Sequence, residues 1–129
     1  MKDIFKKAIE SESEQELIKF LDFRLITKIG SDQYDLIEKA LKETWHNQHE
    51  DLVNMIYLKK LRDDRFVEPI LNIAINRDVF RSYDDEREST LRKCVHALKT
   101  IDSEKSRNAI EILKSLNNVN VNFTLEMYK

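Results

Sequence analysis

The sequence has few of the residues that turn or interrupt a chain. Its 129 residues include one glycine, Gly30, and one proline, Pro69, whereas average usage would give about nine glycines and six prolines. Sheet proteins need glycine and proline at their turns, and phosphate-binding enzymes need glycine-rich loops. The shortage argues against both classes and favours an all-helical chain.

Cysteine pairs, an excess of one charge and long apolar runs are also missing. Cys94 is the single cysteine, which excludes an intramolecular disulfide and a multi-cysteine zinc site. The 22 Lys and Arg residues nearly balance 24 Asp and Glu residues, for a net charge of −2, so a strongly basic nucleic-acid binder is excluded. No apolar run reaches the roughly 20 residues that span a bilayer, and the first residues do not resemble a signal peptide. We expect a cytoplasmic protein.

Apolar residues recur at helical spacing along most of the chain. They predict an all-α fold over residues 1–129, a single domain in which about six short antiparallel helices stack as an α-α superhelix. The predicted buried faces are Phe5, Ala8 and Ile9; Leu17, Ile18, Leu21, Leu25 and Ile29; Ile37, Ala40, Leu41 and Trp45; Leu52, Met55, Ile56 and Leu58; Val67, Ile70, Leu71 and Ala74; Leu91, Cys94, Val95, Leu98 and Ile101; and Ala109, Ile112, Leu113 and Leu116.

Turn and capping residues predict where these helices begin and end. Ser13 with Glu16 forms a capping box, Gly30 supplies a left-handed C-terminal position, and Pro69 fits a first helical turn. Residues 77–89 break the periodicity and are predicted as a loop, after which Ser89 caps a helix. The tail, residues 117–129, alternates polar and apolar residues, which is compatible with one short strand or an extended segment.

Part of the pattern recurs 40 positions further along the chain. The matching residues are Leu58, Lys59, Leu61, Arg65 and Ile70, followed by Leu98, Lys99, Ile101, Lys105 and Ile110. A period near 40 is typical of HEAT-type helical repeats. Residues 64–71 resemble the opening of a HEAT first helix and residues 91–98 its second. The resemblance covers about residues 48–116, departs from the family at the long loop 77–89, and implies a surface that binds macromolecules.

Two histidines form the one candidate metal site. His46 and His49 are three residues apart, a spacing that lets two side chains share a helix face and bind one ion. However, Asn47 fits the cap position of the next helix, which would put His46 outside it, and no third ligand has a defined position. We expect exposed histidines at the start of a helix, with no metal and no cofactor.

Catalytic motifs are absent from the sequence. Cys94 lies on the apolar stripe of its helix, which predicts a small buried side chain. His96 is two residues further on and therefore faces elsewhere, so the two cannot form a nucleophile pair. No nucleophile elbow, phosphate-binding loop or zinc-protease motif occurs. We expect a protein that is not an enzyme.

The predicted loop 77–89 is the candidate binding segment. It holds Phe80 and Tyr83 among many charged side chains. Aromatic residues and arginines are enriched at protein interfaces, and loops on a rigid scaffold often carry binding residues. The candidate partner-binding residues are Phe80, Tyr83, Asp84, Asp85, Glu86 and Glu88. The alternative is a solvated connector whose two aromatic rings fold back onto the helices.

Three functions fit these features. A small, slightly acidic helical domain resembles a bacterial immunity or inhibitor protein, which neutralises a toxin by occluding its basic active site; the partner would be a protein with a basic surface. The second is a cytoplasmic scaffold or adaptor. The third is a nucleic-acid-binding HEAT-like protein that uses the basic patch at 59–62 with Arg65, although Asp63 and Asp64 interrupt that patch and binding would need several phosphate contacts.

Overall fold

The protein is described by a computed structural model that covers residues 2–23, 29–76 and 84–128. Within these ranges it contains eight α-helices and no strand. They are α1 (Lys2–Ser11), α2 (Glu14–Phe23), α3 (Tyr34–Lys42), α4 (His49–Lys59), α5 (Val67–Ile75), α6 (Asp84–Ile101), α7 (Glu104–Lys114) and α8 (Val119–Glu126). Short 3-10 helices at Ser31–Gln33 and Asp64–Phe66 lead into α3 and α5. The all-α prediction is confirmed.

The helices contact one another in two ordered series. The odd-numbered helices touch in chain order, α1 with α3, α3 with α5 and α5 with α7, and the even-numbered helices do the same from α2 to α8. Each odd helix also contacts the even helix that follows it. Two layers of helices therefore enclose one core, built from four helical hairpins placed side by side.

Buried positions recur at fixed distances within each layer. Leu52, Val53, Met55 and Ile56 of α4 are matched 42 positions later by Cys94, Val95, Ala97 and Leu98 of α6. In the other layer, Phe66, Pro69, Ile70 and Ile73 are matched 40 positions later by Ser106, Ala109, Ile110 and Leu113. Neighbouring helices of one layer thus turn equivalent faces to the core.

Most of the predicted core is buried, but several positions are not. The residues Leu91, Val95, Leu98, Ile70 and Leu113, predicted where the last helices stack, are all buried. The residues Ile18, Leu58, Ile112 and Leu116 are exposed instead, whereas Phe20, Val53, Ile73 and Ile110 are buried. Apolar residues lie on more than one side of these helices, so periodicity alone does not identify the side that faces the other layer. Leu25 lies outside the described residues.

Three predictions about element boundaries are wrong. Residues 84–89 are not loop, because α6 begins at Asp84 and Ser89 lies inside it. The tail is not a strand: residues 119–126 form α8, capped by the Asn118 side chain, which accepts from the backbone N–H groups of Asn120 (2.8 Å) and Val121 (3.2 Å). Gly30 is extended (φ −90°, ψ 160°) and precedes a 3-10 helix rather than ending α2 in the left-handed region.

The predicted helix number is also too low, and one helix is not short. Eight helices are described rather than about six, and α6 has 18 residues. The prediction that Pro69 lies in the first turn of α5 is confirmed. The predicted capping box of Ser13 and Glu16 is half formed: the Ser13 hydroxyl accepts from the backbone N–H of Glu16 (3.3 Å), but the backbone N–H of Ser13 donates to the carbonyl of Ala8 (3.0 Å). None of the helices in the described part of the chain has the length and apolar composition needed to cross a membrane.

Candidate functional site

The even-numbered helices lie with their N-terminal ends side by side, and glutamates join those ends. Glu14, the first residue of α2, accepts hydrogen bonds at Oε2 from the backbone N–H of Asn47 (2.6 Å) and from Nε2 of Gln48 (3.2 Å), just before α4 begins. In α4, Glu50 pairs with Nζ of Lys93 (3.5 Å) and accepts from the hydroxyl of Thr90 (3.4 Å) in α6.

The same arrangement joins α6 to α8. Glu88 of α6 accepts hydrogen bonds from the side-chain amides of Asn118 (3.5 Å) and Asn120. Asn118 is also the N-terminal cap of α8. A glutamate near the start of each of the three helices therefore contacts the next even helix, and the three contacts hold the N-terminal ends of α2, α4, α6 and α8 together.

These helix ends are rich in carboxylates, and we call them the acidic edge. Its members are Glu14, Glu16, Glu50, Asp51 and Glu88, together with Asp84, Asp85 and Glu86 as the first three residues of α6. Carboxylates at helix N-termini are stabilised by the positive end of the helix dipole. The basic residues in the same stretches are fewer: Lys19 pairs with Glu16 and Lys93 with Glu50, Arg92 donates to Asn120, and Arg87 lies in α6. The acidic edge therefore carries a net negative charge.

The structure describes only part of the predicted binding segment. Phe80 and Tyr83 lie outside the described residues. Asp84, Asp85 and Glu86 begin α6 and so lie on a helix rather than on a loop. Glu88 is half-buried and bonded to α8. A run of acids before an apolar helical pattern is typical of a helix start, and this signal could have corrected the predicted boundary. The contributions of Glu14 and Glu50 depend on tertiary contacts and were missed.

An aromatic group connects the same helices near their C-terminal ends. The ring of His96 in α6 stacks on Tyr57 of α4 (centroids 4.8 Å apart) and lies 5.7 Å from the ring of Tyr128 after α8, whose hydroxyl is hydrogen-bonded to His96 Nδ1. Nζ of Lys99 is 5.5 Å from the centre of the Tyr128 ring. Burial, followed by the charge of Arg92, lowers the pKa of His96, so this imidazole is neutral at pH 7.

His46, just before α4, and His49, the first residue of α4, are buried, so the prediction that they are exposed is wrong. His46 and His49 are 1% and 4% exposed, and their rings stack 4.3 Å apart. His46 Nδ1 accepts from the backbone N–H of Gln48 (3.0 Å), so the proton is on Nε2, which donates to the carbonyl of Ala40 (2.8 Å). His49 Nε2 donates to the carbonyl of Glu43 (2.7 Å). These bonds explain the burial, since they tie both rings to carbonyl groups at the C-terminal end of α3.

The geometry of these histidines does not favour metal binding. Both ring nitrogens of His46 are used in backbone hydrogen bonds, so neither has a lone pair free for a metal ion. Across the described ranges, no group of three or more His, Cys, Asp and Glu side chains is placed to hold a metal ion. The pair stabilises the connection between α3 and α4.

Cys94 and the basic patch also have contacts typical of a structural role. Cys94 is buried, as predicted, with its sulfur 3.7 Å from the carbonyl of Ile70. In the basic patch, Arg65 pairs with Asp35 (2.6 Å) and Asp63 (3.2 Å). The neighbouring groove is lined by Arg62 together with Asp63 and Asp64, so acidic side chains lie next to both Arg62 and Arg65.

Comparisons of the chain with protein-family models, with curated proteins and with solved structures found no match. The resemblances to HEAT repeats and to immunity proteins therefore depend on the residues and contacts described above.

Proposed function

We propose that this protein is a non-catalytic binding module that neutralises a partner protein by covering the partner's basic active site in a one-to-one complex. The observation that carries the proposal is the acidic edge. Three segments that are far apart in sequence, at the starts of α2, α4 and α6, bring carboxylates to the same end of the even-numbered layer, and three of these carboxylates join the helices to one another. A basic partner would meet a negative surface that is already ordered.

Ordering matters because a surface that is fixed before binding loses less entropy in the complex. The negative potential would also steer a positively charged partner and raise its association rate, an effect that salt weakens. Glu14 and Glu88, whose hydrogen-bond donors are uncharged, would supply the charge together with Asp51, Asp84, Asp85 and Glu86. Glu16 and Glu50 contribute less, because they pair with Lys19 and Lys93.

We also infer that the two layers form a HEAT-like α-α superhelix. The ordered contacts within each layer and the recurrence of buried positions after 40 and 42 residues support this inference. Stacked helical hairpins of this kind present an extended surface for macromolecules. The absence of catalysis is part of the same proposal, and the structural contacts of His46, Cys94 and His96 are consistent with it.

Two other functions differ from inhibition in the surface that binds or in the effect on the partner's activity. A scaffold or adaptor would use the same surface but would leave the activity of its partner unchanged. A nucleic-acid-binding protein would use the basic patch at Lys59, Lys60, Arg62 and Arg65, and its binding would weaken when those residues are replaced. The carboxylates around Arg62 and Arg65 favour the protein-binding proposals.

The test compares two triple variants that remove equal charge. In the acidic-edge variant, serine replaces Asp84, Asp85 and Glu86. In the control variant, serine replaces three exposed glutamates of α5 and α7, which are Glu68, Glu104 and Glu111. The partner is captured from source cells with the unmodified protein, and association and dissociation are measured at low and high salt.

We expect the acidic-edge variant to associate at least several-fold more slowly at low salt, the control variant to associate normally, and the partner's activity to fall at a one-to-one ratio. Tyr83→Ala should speed dissociation if that ring anchors the complex. Equal association rates for both triple variants would contradict the proposal, and an unchanged partner activity would favour the adaptor.

A further inference from the structure

The segment just before α4 holds a histidine whose hydrogen bonds require it to be neutral. His46 Nε2 donates to the carbonyl of Ala40 (2.8 Å), and His46 Nδ1 accepts from the backbone N–H of Gln48 (3.0 Å). A second proton on the ring would be on Nδ1, so two donors would then face each other across this distance. The bond between His46 and Gln48 therefore exists only while the ring is uncharged.

Gln48 is also a residue through which α4 is joined to α2. It is the N-terminal cap residue of α4, and its Nε2 donates to Glu14 Oε2 (3.2 Å), which also accepts from the backbone N–H of Asn47 (2.6 Å). Among the described residues, α2 and α4 share the least extensive contact of any neighbouring helices in the even-numbered layer. The hydrogen bonds to Glu14 are therefore a large part of what holds these two helices together.

The ionisable groups around His46 come from three elements. Burial lowers the pKa of His46, whereas Glu14 of α2 and Glu43 after α3 favour the charged ring less strongly. His49 of α4 stacks on His46 with ring centres 4.3 Å apart, so a charge on one ring opposes a charge on the other. Lys42, at the end of α3, is exposed and held in an ion pair. His46 therefore takes up its proton in mild acid, and Glu14 is attracted to the ring when it does.

We propose that protonation of His46 is a switch that releases the start of α4 from α2. The new proton on Nδ1 displaces the backbone of Gln48, because a buried donor without an acceptor is costly. The charged ring also competes for the carboxylate of Glu14 through a charge-assisted hydrogen bond. The acidic edge is then joined across α2 and α4 at neutral pH and open between them in mild acid.

The consequence for binding rests on the proposed function. A partner held by the acidic edge would bind at neutral pH and be released in mild acid, because the carboxylates of α2 and α4 would no longer be fixed relative to one another. The switch itself requires no partner, so it is tested on the full chain alone. Its failure would leave the proposed function intact, and a failure of the proposed function would leave the switch intact.

The test is an NMR titration of the full chain between pH 7 and pH 5. It follows the imidazole signals of His46 together with the backbone and side-chain amide signals of Gln48. The side-chain amide of Asn120, which is bonded to Glu88 where α6 meets α8, is the internal control. That junction has the same glutamate–amide chemistry, but the residues just before α8 include no histidine.

We expect the Gln48 signals to shift with the same midpoint pH as the His46 ring, while the Asn120 signals stay in place. His46→Gln should abolish the shift of the Gln48 signals. Glu14→Gln should lower the midpoint pH, because it removes a negative charge that favours the charged ring. Glu16→Gln, two residues further along α2, is the matched control and should leave the midpoint unchanged.

Gln48 signals that do not follow the His46 ring would overturn the proposal. A shift that persists in His46→Gln would also overturn it, because another group, such as His49, would then cause the shift. Loss of all native signals together would do the same, since the chain would unfold as a whole rather than open at one junction. If His46→Gln does not fold, equal midpoints for Glu14→Gln and Glu16→Gln would still overturn the proposal.

Discussion

The region α4–α5 and the region α6–α7 have the same pattern of buried residues but differ in their connection. After α4, the left-handed residue Lys60 (φ 55°) is followed by Leu61 and Arg62 before the cap residue Asp63. After α6, the left-handed residue Asp102 (φ 51°) is followed directly by the cap residue Ser103. The first connection is two residues longer. This explains why residues of α4 are equivalent to residues of α6 that lie 42 positions later, whereas residues of α5 are equivalent to residues of α7 that lie 40 positions later.

The difference shows that a single repeat length detected in the sequence describes one layer of helices and not both. The offset of 40 correctly relates Ile70 to Ile110, which are both buried. It also pairs Leu58 with Leu98, but Leu58 is exposed and Leu98 is buried, and the residue equivalent to Leu98 is Ile56. A single offset therefore gives the wrong register for one layer when the loops between helices differ in length.

The largest expected effect on stability tests which residue of α4 is equivalent to Leu98 of α6. Leu98→Ala should lower the free energy of unfolding by about 2–5 kcal/mol, because it leaves a cavity in the core, and Ile56→Ala should have an effect in the same range. Leu58→Ala should lower it by less than about 1 kcal/mol, since an exposed side chain gains little from folding. Urea denaturation measures all three. Equal losses for Leu58→Ala and Leu98→Ala would show that the offset of 40 also applies to α4 and α6.

A smaller effect is expected at the two caps. Asp63 accepts from the backbone N–H of Arg65 (2.9 Å), and Ser103 accepts from that of Ser106 (3.0 Å) in a full capping box. Asp63→Ala and Ser103→Ala should each lower the free energy of unfolding by about 0.5–2 kcal/mol.

Ser31→Ala is the control for the caps, because Ser31 is an exposed serine in the first 3-10 helix. If the control variant loses as much stability as the cap variants, the caps do not stabilise the two connections in the way we infer.

The smallest expected effect on stability at neutral pH comes from His46. It distinguishes the start of α4, which has this histidine, from the start of α6, which does not. His46 and His49 are matched 42 positions later by Glu88 and Leu91, so only the start of α4 has imidazoles at these two positions. Burial lowers the pKa of His46 and outweighs the hydrogen bond to Ala40 and the nearby carboxylates of Glu14 and Glu43.

The unfolded chain therefore takes up this proton at a higher pH than the folded chain. The contribution of His46 to stability is full above its ordinary pKa of about 6.5 and is lost as the pH falls below that value. We expect His46→Gln to lose less free energy of unfolding between pH 7 and pH 5 than the unmodified protein, by urea denaturation at both values. The same pH dependence in both proteins would contradict this assignment.

The candidate site could be predicted from sequence only in part. The charges of Asp84, Asp85, Glu86 and Glu88 are visible in the sequence, but their placement on a helix was missed because the break in apolar spacing suggested a loop. Glu14 and Glu50 look like ordinary solvated carboxylates until α2, α4 and α6 lie side by side. His46 and His49 look exposed because the carbonyl groups that bind them belong to the end of α3 and the residue after it.

The sequence by itself determined the helical class and much of the core. Scarcity of glycine and proline, apolar spacing near 3.6 residues and the caps at Ser13 and Ser103 are local properties, and a helix satisfies its backbone hydrogen bonds locally. The tertiary structure decided which side of each helix is buried, that residues 119–126 form a helix, and that three glutamates meet the next even helix. These depend on which helices become neighbours, and a helix with apolar residues on two sides, such as α8, acquires an inner and an outer face only when it packs against α6.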